Sequence, residues 1–303
     1  MPTADPSPSN RQGPVIIGGL GGSGTRVYAE LMRHAGFHVG SRLNTACDNL
    51  WVTLLLKRRY EALDDPRLAR LAFGLLEKRL WRGGRMTFDE HRLLWRTARD
   101  VSRNGHGERG EGTGSWAWRT ALSLARATPP RTDAYRGWGF KEPNTHVFLE
   151  LLAEHFESMR YVYVLRHGLD MAFSGNNQQL YSWGERYGIE RPTDRAAIPS
   201  RQLDYWLAAT HRAVATGREL LGDRFLVLRY DDLFPDPAPQ LEQLALFLGV
   251  TPSVFEDPKA LAWIERSSSV GRYRHEDLSI FTDAQLDGVR EQGFSIHTDG
   301  AAV

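Results

Sequence analysis

The chain has 303 residues, room for one large α/β domain or two small ones. A net charge of +1 and a pI near 8.0 exclude an overall electrostatic drive toward nucleic acid or an anionic membrane surface, and the hydrophobic content allows a sizeable core. A single cysteine, Cys47, excludes an intramolecular disulfide and a cysteine-built metal site, and it is expected to be a small packing residue. Met1 to Gln12 are polar and proline-containing, expected as a disordered tail rather than a signal peptide. No stretch approaches the roughly 20 apolar residues of a membrane helix, so a soluble cytoplasmic protein is expected.

The first element is a short apolar run, Val15 to Leu20, with the pattern of a buried parallel strand. Gly18, Gly19, Gly21, Gly22 and Gly24 crowd its end, and Val27, Tyr28, Leu31, Met32 and Ala35 then recur at helical spacing. Strand, glycine turn and helix start form a phosphate-binding layout, because backbone N–H groups converge and the helix N-terminus is partly positive. The spacing nearly matches the loop G-x-x-x-x-G-K-[ST], with Gly19 and Gly24 on its glycines. Thr25 takes the lysine position and Arg26 the hydroxyl position, so the phosphate-reaching lysine and the magnesium-holding hydroxyl are both missing. That points to a phosphate-like group held without metal, Thr25 donating and Arg26 a candidate cation. The competing interpretation is a glycine-rich turn with no ligand.

Phe37 to Gly40 is expected to be a short extended piece. Asp48, in the polar stretch Arg42 to Asn49, either binds a substrate hydroxyl or its proton, or caps a helix starting near Leu50. Residues 50–130 have no strand-like alternation and are expected as several helices, with Leu54, Leu55, Leu75, Leu76, Leu94 and Leu122 among their apolar positions. Between residues 51 and 135 there are about seven more basic than acidic side chains, and Trp51, Trp81, Trp95, Trp116 and Trp118 fall in the same stretch. This is either a solvated helical face or a cap that receives an acidic or sugar-bearing acceptor. The glycine-rich, charged run from His106 to Gly114 is expected to be a loop.

Trp138 to Phe140 restarts a strand that leads into Lys141, Glu142 and Pro143, with Asn144 or Thr145 expected to cap the next helix. Charged residues leaving a buried strand stand where parallel α/β sheets bind ligands. Arg160 to Leu165 is the clearest strand, and Arg166 follows it, with Ser174 eight residues later. The pair is either an anion clamp or, for Arg166, a surface ion pair. Residues 175–200 are expected to be a long loop or lid. An amphipathic helix runs through Leu203 to Leu221, a strand covers Phe225 to Arg229, and a helix ends at Gly249. Strands alternating with helices imply an α/β fold. A central parallel sheet carries helices on both faces, residues 50–130 are an added helical segment, and the whole chain is a single domain.

The glycine loop with Ser23-Gly24-Thr25, the Lys141-Glu142-Pro143 turn, and Arg166 with Ser174 stand at successive strand ends. In that order they resemble the sulfotransferase family, particularly its bacterial members, from about residue 14 to about residue 275. The stretch Leu228 to Leu233 is similar to a later signature of that family. The resemblance implies a P-loop-like fold and 3′-phosphoadenosine 5′-phosphosulfate (PAPS) as donor, leaving 3′-phosphoadenosine 5′-phosphate (PAP). It implies that Gly21, Gly22, Ser23, Gly24, Thr25 and Arg26 hold the 5′-phosphosulfate. Arg166 and Ser174 would bind the 3′-phosphate, Arg266, Gly271 and Arg272 would close over it, and Tyr230 would lie near the adenine.

The chain departs from eukaryotic members, which carry a lysine in the loop where Gly22 stands. It also has Ser267 and Ser268 where cytosolic members carry Lys-Gly. Arg26 and Lys141 are then the candidate cations at the bridging oxygen. Glu142 is the first candidate base, with Asp48 and His146 after it, and His146 reads equally as a cap or packing residue. The implied partner is a small-molecule or sugar acceptor, with no nucleic acid, no membrane insertion and no metal. A small-molecule kinase and a non-catalytic nucleotide-binding protein are the alternative functions.

Overall fold

The computed structural model describes residues 13–57, 60–105 and 114–297. The N-terminal tail, Arg58, Arg59 and most of the 106–114 run lie outside the described residues. Five strands form one parallel sheet in the order β2-β3-β1-β4-β5: β1 Val15–Gly19, β2 Phe37–His38, β3 Gly137–Lys141, β4 Arg160–Leu165 and β5 Phe225–Arg229. Neighbouring side chains on a strand leave by opposite faces, so each strand feeds two cores. Ile16, Tyr161, Tyr163 and Phe140 enter one, and Val15, Ile17, Val162 and Val164 enter the other. Burial on both sides explains the nearly continuous apolar runs.

The glycine loop leads into α1 (Thr25–His34), which packs on the second core with Leu31 and Met32. The next stretch is helical as expected: α2 (Leu50–Leu56), α3 (Tyr60–Asp64), α4 (Pro66–Glu77), α5 (Phe88–Asn104) and α6 (Ser115–Arg126). These helices cover the first core with Leu54, Leu75, Leu76, Leu94 and Leu124, but Leu122 is exposed on the outer side of α6. The cap of α2 is Asn49, not Asp48: its side-chain oxygen accepts the Trp51 and Val52 amides at 3.1 and 3.3 Å. The tryptophans of this segment serve packing. Trp51 is buried and donates to Ser123, Trp81 stacks on Trp138, and Trp95 stacks on Trp118.

After β3 the chain enters a 3-10 turn, Pro143–Phe148, before α7 (Leu149–His155). The expected caps Asn144 and Thr145 are inside this turn. Glu142 caps it by accepting the Asn144 amide at 2.7 Å. β4 is followed by α8 (Gly168–Ala172). Within the stretch expected as a lid lies α9 (Gln178–Trp183), held down by buried Leu180 and Trp183. Then come α10 (Ile198–Leu221), α11 (Ala238–Leu248), α12 (Pro258–Leu261) and α13 (Asp283–Glu291). Gly249 ends α11 in a left-handed conformation, which costs glycine nothing. No helix among the described residues is long and apolar enough to cross a membrane.

Candidate active site

The glycine loop is a tight turn at the C-terminal end of the sheet's middle strand. Ser23 donates its amide to Leu20 O at 3.0 Å, and Gly22 and Gly24 have φ of 97° and 90°. Gly24 has a second reason to be glycine, because a Cβ there would lie 2.1 Å from the Tyr230 ring. The first amides of α1 have no acceptor within the helix, as at any helix start. Ser23 Oγ is buried and has no hydrogen-bond partner. Helix-start amides beside a glycine turn are suited to cradle an anion.

The loop opens into a cavity of about 420 Å³. Four cations line it, Arg26, Lys57, Lys141 and Arg166, against two carboxylates, Asp48 and Glu142. The excess of positive charge selects an anionic ligand. β3 runs beside β1 with Ile17 opposite Lys141, which brings Lys141 and Glu142 next to the glycine loop. Lys141 is buried, paired with Asp48 and bonded to Ala46 O at 3.0 Å. Asp48 also accepts from Asn44 Nδ2 at 2.9 Å. Both oxygens of Glu142 are held by Asn144, through its amide at 2.7 Å and its side chain at 2.8 Å. Burial, with Asp48 adding to it, pushes the Glu142 carboxyl above the ordinary carboxylate range, and Lys57 pulls against that shift.

His146 does not reach this cavity. Its Nδ1 lies 2.8 Å from Pro143 O and its Nε2 3.4 Å from the Tyr205 hydroxyl, and burial pushes it down to about 4. It is a neutral core residue.

Arg166 lies at the end of β4, buried against the loop. It donates to Gly22 O at 3.0 Å and Ser269 Oγ at 2.8 Å, and its guanidinium sits 5.4 Å from the centre of the Tyr230 ring. Its Nε is buried and has no partner. Asp170, one helical turn on, lies 3.7 Å from Arg166 and accepts the Gly271 and Tyr273 amides at 2.7 and 3.3 Å. The 267–273 segment is thus drawn onto Arg166. Arg272 donates to Ser269 O at 3.2 Å and to Phe173 O at 3.4 Å. Ser174 is half-buried and accepts the Asn176 amide at 3.2 Å, and Arg266 is exposed; neither lines the cavity. Arg26 is exposed at its wall, 5.9 Å from the centre of the Trp263 ring.

Sequence reasoning missed Lys57, Asn144, Gln179 and Ser269. Gln179 Oε1 accepts the Gly21 amide at 2.8 Å, and Asn144 Oδ1 accepts from Gln179 at 3.1 Å and from Trp183 at 2.9 Å. None of these residues carries a local signal. Asp170 did carry one, because it stands four residues after Arg166 in a helical pattern. Among the described residues no group of three or more His, Cys, Asp or Glu side chains forms a metal-binding cluster.

The sulfotransferase family model matches residues 14–256, and the chain belongs to that family. Its fold is similar to several solved structures. One is sulfotransferase STF9 from Mycobacterium avium, at 17% identity, covering 97% of this chain and 79% of that one, with a TM-score of 0.48. Another is the sulfotransferase domain of the Synechococcus PCC 7002 olefin synthase, at 14% identity, 96% and 99% coverage and a TM-score of 0.45. A third is retinol dehydratase in complex with androsterone and inactive cofactor PAP, at 16% identity, 95% and 82% coverage and a TM-score of 0.39. No curated protein sequence matches the chain.

Proposed function

We propose that this protein transfers a sulfuryl group from PAPS to a hydroxyl or amine of a small-molecule or carbohydrate acceptor. The observation that carries this is the cavity itself, where the glycine loop and the start of α1 meet Arg166 and Tyr230 in a net positive setting. Family membership supports the transfer, and PAP in the retinol dehydratase complex supports the donor.

The residues present fit that group. The loop from Gly21 to Thr25 would hold its 5′ end through backbone amides and Thr25. Arg166, whose Nε is unpartnered, would hold the 3′-phosphate beside the segment carrying Gly271 and Arg272, while Ser174 and Arg266, away from the cavity wall, would reach it only by moving. Tyr230, against Gly24 and under Arg166, offers a flat face for the adenine. When bound, PAPS supplies a sulfuryl group that forms a new S–O or S–N bond to the acceptor as its S–O bond to the 5′-phosphate breaks, the electron pair leaving on the phosphate.

The chain's own residues then do two things. Cations stabilise negative charge at the leaving oxygen, with Lys141 and Arg26 on the cavity wall for that role. A carboxylate takes the acceptor proton. Glu142 is the first candidate base, its carboxyl raised above the ordinary range by burial, and Asp48 is the second.

Calorimetric titration with PAP in the absence of metal, beside ATP with Mg²⁺, tests the donor. PAP binding without metal, and no ATP binding, is the expected result. ATP binding that depends on Mg²⁺, with no PAP binding, would make a small-molecule kinase the better account.

A further inference from the structure

We propose that Lys57 is a further cation for the 5′ end of the donor, beside Lys141 and Arg26, supplied from the end of α2 where the glycine loop lacks a lysine. This rests on the PAPS assignment above.

Two of the four cations lining the cavity are held by partners, and a third is exposed at its wall. Lys141 is paired with Asp48 and bonded to Ala46 O. Arg166 is tied to Gly22 O and Ser269 Oγ, with Asp170 at 3.7 Å. Arg26 is exposed against the Trp263 ring. Lys57 is half-buried, lines the same cavity as Gly21, Gly22, Gly24 and Thr25, and makes no side-chain hydrogen bond or ion pair among the described residues.

Its backbone stands on a firm base. Leu54, Leu55 and Leu56 are buried in the core, and the Lys57 amide donates to Thr53 O at 3.2 Å. At the other end of α2, the Asn49 amide donates to Lys141 O at 2.8 Å, which fixes the helix to the end of β3. A lysine is suited to the role, because its ammonium is a compact charge on a flexible stem and can follow charge onto a leaving oxygen. The influence of Lys57 on the Glu142 carboxyl is consistent with an ammonium directed into the cavity.

The test compares PAP with adenosine 3′-monophosphate, which lacks the 5′-phosphate, by calorimetry on the wild type, Lys57→Ala and Lys57→Arg. Lys57→Ala is expected to weaken PAP by about tenfold or more, the scale of one charge-assisted hydrogen bond, and to leave adenosine 3′-monophosphate unchanged. Lys57→Arg is expected to recover most of the loss, which shows that the charge and not the fold was removed. Unchanged PAP affinity in Lys57→Ala, or equal losses for both nucleotides, overturns the role of Lys57 and leaves the donor assignment standing. A wild type that binds neither nucleotide overturns the donor assignment, and this proposal with it.

Discussion

The side-chain oxygen of Gln179 accepts the Gly21 amide at 2.8 Å across 158 residues of sequence. Through Asn144, which receives the Gln179 and Trp183 side chains and holds Glu142, the glycine loop, the β3 turn and α9 become one hydrogen-bonded unit. Gln179→Glu keeps an acceptor for Gly21 but adds a negative charge beside the anion cradle. PAP affinity is expected to fall by about tenfold or more, as Coulomb repulsion in a half-buried site demands. Gln179→Leu removes the tether and is expected to cost about 1–2 kcal/mol in a denaturant melt. Unchanged PAP affinity in Gln179→Glu would show that the loop does not receive the anion.

Gly24→Ala and Gly84→Ala separate strain from contact. Both glycines have positive φ, 90° and 113°, but a Cβ at Gly24 meets the Tyr230 ring at 2.1 Å and a Cβ at Gly84 meets nothing within 4 Å. Each change is expected to cost about 1–2 kcal/mol for the left-handed backbone. Only Gly24→Ala should also displace Tyr230 and abolish PAP binding. Melting curves and PAP titrations of the two variants check this, and normal PAP affinity in Gly24→Ala would remove the Tyr230 contact from the site.

Asp170 is buried and serves the Gly271 and Tyr273 amides while facing Arg166. Asp170→Asn leaves one carbonyl oxygen and no charge. The expected destabilisation is about 3 kcal/mol or more, because the buried Arg166 loses its counter-charge. Faster amide hydrogen exchange confined to residues 267–276 is the signature. Exchange at wild-type rates there would mean that the segment is held by other contacts.

His146 makes acid stability testable. Burial lowers its folded pKa from 6.5 to about 4. Its stabilising contribution is therefore complete above the unfolded value and is lost as pH falls through the folded one. The full difference corresponds to about 3 kcal/mol. Wild-type stability is expected to decline between pH 6.5 and 4, and His146→Gln to flatten that decline. PAP binding and turnover at neutral pH should survive in His146→Gln. A large turnover loss with an unchanged melting temperature would return His146 to the candidate bases.

Much of the framework is legible in local pattern. The strand at Arg160–Leu165, the strand at Phe225–Arg229 and the turn after Gly19 follow from apolar runs and glycine placement alone. Arg166 at a strand end was marked as a candidate for anion chemistry, and it does line the cavity beside the glycine loop, because strand ends of a parallel sheet gather on one edge. Near the site the same reasoning weakens. Glu142 stood out as a candidate base, but that both its oxygens accept from Asn144 was not legible. His146 lies four residues from the cavity-lining Glu142, and the 3-10 turn carries it into the core. Residues 175–200 were polar enough to suggest a lid, but Trp183 anchors α9 beneath the loop.

The sequence by itself determined the layered architecture and the glycine turn before α1, because both depend on residues a few positions apart: side-chain period, glycine φ and helix start. Tertiary structure alone decided which charges share the cavity and which are already spent. Lys57 comes from the end of α2, Gln179 from α9, Asp170 from α8 and Ser269 from the segment after α12, and their meeting depends on how the helices close over the sheet. Whether a buried cation is available to a ligand is set by its partners, and those partners are distant in sequence.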